Sequence, residues 1–84
     1  MTIEITITGL AAAAVERANR ASFYGIRGNK PDCAAAMRAV LPYASAAVEA
    51  ACPAWNGYII RNARTIDTAG TKVPYMAVVT IDID

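Results

Sequence analysis

Residues 2–8 alternate strictly between polar and apolar side chains, and this pattern constrains the fold more than any other. Ile3, Ile5 and Ile7 point to one side of an extended chain, while three threonines and a glutamate separate and flank them on the other. A period of two with β-branched residues is typical of a strand that buries one face. The sequence therefore predicts a strand over residues 2–8 that packs against other elements.

The apolar period changes to that of a helix over residues 10–22 and again over residues 32–52. Pro31 and Asp32 suit the first turn of the second helix. Pro42 would interrupt its hydrogen bonding, so we expect a kink there or two shorter helices. The predicted core positions are Leu10, Ala14, Val15, Ala18, Ala21 and Ser22, then Cys33, Met37, Val40, Leu41, Ala44, Ala47, Val48 and Ala51.

The C-terminal part of the chain predicts a β-hairpin with strands at 57–67 and 72–83. If Ala69-Gly70 is a two-residue loop, Ile60 faces Val79 and Tyr58 faces Ile81. That register puts Arg61 and Arg64 on opposite faces of their strand, with Arg64 and Tyr75 on the core side. Pro74 cannot donate a ladder hydrogen bond, so the last strand is predicted to be an edge or bulged at that position.

These elements predict a single α+β domain over residues 1–84. Its order is β-α-α-β-β, with two helices on one face of a three-stranded, mainly antiparallel sheet. A chain of 84 residues suffices for one domain with a thin core. Of its residues 56% are hydrophobic, and 19 are alanines, which bury little area each. Such a domain often needs a partner surface to complete its burial.

The side chains that usually carry catalysis are scarce. The chain has no histidine, the commonest general base and metal ligand. Cys33 and Cys52 are too far apart in sequence for a redox pair, and we expect two free, buried thiols. The carboxylates are dispersed along the chain. The sequence therefore predicts a protein that is not an enzyme and that holds no metal or cofactor.

The net charge of +1 gives no overall attraction to nucleic acid or to an anionic membrane. Charge is nevertheless uneven, because residues 17–38 contain five basic side chains and one acidic one. The N-terminus resembles no signal peptide, and the apolar stretch at 33–52 is too interrupted to span a membrane. We therefore expect a cytoplasmic protein with no membrane association.

The segment Gly25-Ile26-Arg27-Gly28, followed by Lys30, lies between the two predicted helices and after a strand. This placement resembles the KH domain of RNA-binding proteins, in which a GxxG loop between helices clamps the backbone of single-stranded nucleic acid. The resemblance implies phosphate contacts through Gly25, Gly28, Arg27 and Lys30. Single-stranded nucleic-acid binding is therefore the alternative interpretation, beside that of an ordinary interhelical turn with solvated charges.

The leading interpretation is binding to another protein. Arg61 beside Met76 and Val78 would form the arginine-plus-apolar patch that interfaces favour. Trp55 is either a plug between helix and sheet or, if exposed, an interface anchor. The predicted partner-binding residues are Arg61, Arg64, Met76, Val78 and Trp55.

Small proteins without catalytic motifs are often accessory proteins of bacteria or phages, acting as inhibitors or adaptors that cover a partner surface. The partner expected here is a protein of unknown identity. Apolar residues on both faces of the predicted sheet also suggest a homodimer, formed through the open sheet face or an edge strand.

Overall fold

A computed structural model of the chain describes residues 1–52, 57–66 and 75–83. It confirms the predicted small α+β domain and its element order. Compared with the sequence prediction, both helices begin one residue earlier, and the last two strands are shorter. The elements are β1 (Thr2–Thr8), α1 (Gly9–Ala21), a 3₁₀ turn (Gly25–Arg27), α2 (Pro31–Ala51), β2 (Tyr58–Thr65) and β3 (Met76–Ile83).

The three strands form an antiparallel sheet in the order β1-β3-β2, so the last strand of the chain lies in its centre. Ile3 pairs with Ile81, and Ile5 with Val79. Beyond β1, the N-terminal ammonium of Met1 donates to the Ile83 carbonyl at 2.8 Å. The two ends of the chain are therefore joined side by side.

The register predicted for β2 and β3 is wrong. Ile60 pairs with Ile81 and Tyr58 with Ile83, two residues away from the predicted partners, and Val79 faces Ala63 instead. The predicted register rested on a two-residue loop at Ala69-Gly70, which lies outside the described residues. A shift of two residues keeps each side chain on its own face, so alternation along the strands does not distinguish the two registers.

A β-bulge interrupts the β2–β3 ladder between Ile60 and Asn62. One extra residue in a strand reverses the faces of the residues that follow it. Ala63 therefore lies on the helix side and is buried, whereas Arg64 lies on the opposite side with Arg61. The prediction that these two arginines lie on opposite faces is wrong, as is the placement of Arg64 in the core.

The core lies between the sheet and the two helices, which pack against each other through small side chains. The prediction for Leu10 is wrong, because it is 89% exposed at the first turn of α1. Leu41 and Ala51 are likewise exposed. Alanines let the helices approach closely, and that leaves these three side chains outside the contact. The buried helical residues are Ala11, Ala12, Ala13, Ala14, Val15 and Ala18 of α1, and Cys33, Ala36, Val40, Ala44 and Val48 of α2.

Helix α2 runs without a break from Pro31 to Ala51, so Pro42 does not split it. Pro42 is exposed, and a carbonyl that loses its helical partner on the exposed side can bond to water. Both thiols are free and Cys33 is buried, as predicted, whereas Cys52 is only half-buried. Three predictions, concerning Trp55, Pro74 and the Ala69-Gly70 loop, fall outside the described residues.

Candidate partner-binding face

One side of the sheet is turned away from the helices, and we call it the open face. Successive residues of a strand alternate between its two sides, and the bulge adds one residue to the open side of β2. The face therefore combines threonines and charged groups with a few apolar side chains. It consists of Thr2, Glu4, Thr6 and Thr8 of β1, Met76, Val78, Thr80 and Asp82 of β3, and Ile59, Arg61, Asn62 and Arg64 of β2.

The two arginines of the open face each meet a carboxylate. Arg61 Nη1 donates to Asp82 Oδ2 at 2.7 Å, and Arg64 Nη2 lies 4.0 Å from Glu4 Oε2. Both guanidinium groups remain mostly exposed. Ion pairs in such exposed positions contribute little to stability. Arg61 is thus hydrogen-bonded to Asp82, Arg64 lies near Glu4, and both guanidinium groups stay largely accessible.

Asp82 accepts hydrogen bonds from two side chains of the open face. Thr2 Oγ1 donates a hydrogen bond to its Oδ1 at 2.7 Å, and Arg61 bonds its other oxygen. The Thr2 hydrogen bond and the Arg61 charge lower the pKa of the Asp82 carboxyl below its usual value. Asp82 is therefore ionised at neutral pH and keeps Arg61 oriented across the sheet.

The apolar part of the open face differs from the predicted one. Val78 is only 9% exposed, and Met76 is half-buried, so each offers a limited surface. Ile59, which lies opposite Asp82, is 58% exposed. Alternation along β2 puts Ile59 on the same side as Arg61, but no pattern in the sequence indicates that it is the most accessible apolar side chain there.

The fold thus brings together four of the five predicted partner-binding residues. Arg61, Arg64, Met76 and Val78 share the open face, and Trp55 lies outside the described residues. The bulge accounts for this grouping, because without it the two arginines would be separated by the sheet. Bulges depend on cross-strand packing, which simple alternation along a single strand does not reveal.

The Gly25–Arg27 turn differs from a loop that clamps a nucleic-acid backbone, because its amides bond within the turn. The amides of Gly25, Arg27 and Gly28 donate to the Ser22, Tyr24 and Gly25 carbonyls, at 3.0, 3.1 and 3.0 Å. These three amides are therefore engaged within the turn. Beyond it, the Arg27 and Lys30 side chains are exposed, so any phosphate contact would fall mainly to them.

Both glycines of the turn are packed against neighbouring side chains. Gly25 is buried with a φ of +56°, and a Cβ there would overlap Asn19 Oδ1. At Gly28 a Cβ would lie 2.9 Å from Cys33 Sγ. The positive φ of Gly25 and the close contacts at both positions account for the two glycines without a ligand.

Two aromatic side chains next to this turn are exposed, which the sequence patterns did not indicate. Phe23 is 99% exposed, and its ring meets that of Tyr24 edge to face at a centroid distance of 5.7 Å. They follow the end of α1, where the chain turns toward α2. No periodicity marks them as surface residues, because they lie between two elements.

Within the described ranges, no group of three or more His, Cys, Asp or Glu side chains lies close enough to hold a metal ion. Across the same part of the chain, no helix combines the length and apolar character required to cross a membrane. No family model, curated protein or solved structure matches the chain significantly.

Proposed function

We propose that the chain is a non-catalytic protein-binding module whose partner docks on the open face. One observation carries the proposal: the bulge in β2 brings Arg61 and Arg64 to the same side as Ile59 and Met76. Arginine combined with accessible apolar area is the combination that dominates binding energy at interfaces. The surrounding threonines supply hydroxyl groups for a polar rim.

Electrostatics favour a partner that brings carboxylates. Arg61 and Arg64 form exposed ion pairs with Asp82 and Glu4. Replacing such an exposed carboxylate with one from a partner costs little free energy. Planar guanidinium groups bind carboxylates in a bidentate manner and stack on aromatic rings. The hydrogen bond to Asp82 already restricts the Arg61 side chain before binding, so less of its side-chain entropy is lost on docking.

The proposal includes the class suggested by the sequence: an accessory, inhibitor or adaptor protein of bacterial or phage type, acting in the cytoplasm by covering a partner surface. Single-stranded nucleic-acid binding at Arg27 and Lys30 is the alternative, and the exposure of both side chains favours it. It ranks second because Gly25 and Gly28 pack internally and three amides of the turn are already bonded.

The test compares two triple variants as baits for proteins from the source cell. One carries Arg61→Ala, Arg64→Ala and Met76→Ala on the open face. The control carries Arg17→Ala, Arg38→Ala and Leu41→Ala, which removes two exposed arginines and one exposed apolar side chain from the helices. We expect quantitative mass spectrometry to identify a protein retained by wild type and control but lost with the open-face variant.

The purified partner then provides the quantitative measurement. Titration calorimetry should give at least a roughly 100-fold weaker Kd for the open-face variant, as expected when hot-spot residues are truncated. The control should bind within about threefold of wild type. A partner that binds both variants equally, or no partner dependent on this face, would contradict the proposal. Salt-dependent binding of single-stranded RNA that requires Arg27 and Lys30 would favour the alternative.

A further inference from the structure

The outer edge of β1 is an unprotected strand edge. β1 pairs with β3 on one side only and with no other described strand. Its seven residues contain no proline, no lysine and no bulge, and Glu4 is its only charged side chain. Proteins that avoid pairing with further chains normally protect an edge with one of these features.

The opposite edge of the sheet, on β2, is protected. It carries the bulge between Ile60 and Asn62 and two arginines. In addition, Asn19 Nδ2 donates to the Ala63 carbonyl at 3.3 Å, which occupies one backbone acceptor of this strand. Among the described residues, the two edges therefore differ in the features that prevent strand addition, and β1 is the edge that lacks them.

The backbone groups on the β1 edge can be assigned. Met1 and Ile83 exchange two hydrogen bonds, of 2.8 and 2.7 Å. Hydrogen-bonded and non-bonded pairs alternate along an antiparallel ladder, so Ile3, Ile5 and Ile7 also bond to β3. The N–H and C=O groups of the residues between them point away from the sheet. These residues are Thr2, Glu4, Thr6 and Thr8.

The helix side of β1 is incompletely covered. Ile7 is buried, whereas Ile3 and Ile5 are only half-buried, although all three lie on the same side of the strand. The helices thus cover the end of β1 that leads into α1 better than its beginning. A further strand with its own helices, added beside β1, would cover the remaining apolar surface.

We propose that β1 pairs with β1 of a second copy of this chain, antiparallel and about a twofold axis at Ile5. The two three-stranded sheets then form one continuous six-stranded sheet. An axis perpendicular to the sheet keeps the helices of both copies on one side and extends the open face on the other. This pairing is independent of the proposed partner binding, because it uses the edge and not the open face.

Charge and pleat select the register. The helices of both copies lie on the same side of the joined sheet only if isoleucines of β1 face isoleucines of the second β1. The alignments of the two strands that meet this condition differ from one another by two residues. One of these sets Glu4 opposite Glu4 of the second copy, and like charges directly opposite are destabilising. With the axis at Ile5, Glu4 faces Thr6 of the second copy, all seven residues pair, and the outward backbone groups meet one another.

Cross-linking tests this geometry with a matched control. Ile5 would face its own copy in a non-hydrogen-bonded pair, with Cα atoms about 4.5 Å apart, which a disulfide can bridge. Ile3 would lie about 13 Å from its own copy, four residues along the strand. With Cys52→Ser removing the half-buried native thiol, Ile5→Cys should form a covalent dimer on oxidation, and Ile3→Cys should not. Equal cross-linking of the two, or none, overturns the register.

Sedimentation equilibrium measures the association itself. Wild type should approach twice its mass of 8.8 kDa as concentration rises from about 1 µM to about 1 mM. Thr6→Glu places a second carboxylate opposite Glu4 of the other copy and should raise the dimer Kd at least about tenfold, whereas Thr6→Lys should not weaken it. Circular dichroism checks that both variants fold. A monomer throughout this range, or equal effects of the two substitutions, overturns the proposal.

Discussion

At the scale of single residues, Gly28 illustrates how one pattern can serve packing instead of binding. Gly28 follows the turn that joins the helices, and its backbone packs closely against the side chains of Ser22 and Cys33. Its amide is bonded to the Gly25 carbonyl. The spacing of the two glycines resembles a phosphate-binding loop, but the close approach that glycine permits is used here between parts of the same chain.

We predict that Gly28→Ala destabilises the fold. The added Cβ would lie 2.8 Å from Ser22 Cβ and 2.9 Å from Cys33 Sγ, and such overpacking costs about 1–3 kcal/mol. Asn29→Ala, at the neighbouring position, should change the free energy of unfolding by less than about 0.5 kcal/mol. Urea denaturation measures both. Equal stability of the two variants would show that the turn yields easily and that Gly28 has no packing role.

At the scale of elements, the contact between the helices depends on alanine. Ala12, Ala18, Ala36 and Ala44 are completely buried. Small side chains let helix axes approach closely: the buried side chains of α1 and α2 are no larger than valine, whereas the strands contribute isoleucines such as Ile60 and Ile81. This division of roles explains why Leu10 and Leu41, the larger residues of the helices, are found outside the core.

A pair of substitutions on α2 tests this packing. Ala36→Leu inserts a large side chain at a completely buried position, and we expect a loss of about 1–3 kcal/mol in the free energy of unfolding. Ala34→Leu introduces the same side chain two residues earlier, at an exposed position, where a change within about 0.5 kcal/mol is expected. Thermal and urea unfolding would compare them. If Ala36→Leu is tolerated as well as Ala34→Leu, the helices are not closely packed.

At the scale of the whole molecule, the strand order determines how the chain can fold. β1 and β2 each pair only with β3, which comes last among the described strands. The sheet therefore cannot form until its central strand is present, and its β1–β3 pairing joins the two ends of the chain. Contacts over such sequence separations are slow to form, because loop closure precedes the gain from pairing.

We predict that a chain ending at Tyr75 does not fold. Neither remaining strand has its partner, and the helices lose the buried side chains of β3, including Val79 and Ile81. A chain beginning at Gly9 instead loses an edge strand and keeps the β2–β3 pair. Thermal melts followed by circular dichroism should show no cooperative transition for the first and a residual one for the second. A cooperative transition in the first would contradict the dependence on β3.

Much of this architecture follows from local patterns in the sequence. The alternation of isoleucine and threonine predicted β1, and the helical spacing of the apolar residues predicted α1 and α2, because these patterns express which side of an element must be buried. The element order and the α+β class follow from them. The open face was predicted as the binding surface, but with Arg64 on the wrong side of the sheet.

Cross-strand contacts decided the rest. The central position of β3, the register of β2 and the bulge before Asn62 arise from pairing between residues far apart in sequence. No period along one strand encodes them, because each depends on how the strands together cover the helices. Local preference thus determined the elements, whereas only tertiary packing brought Arg61 and Arg64 to one face and left the edge of β1 open.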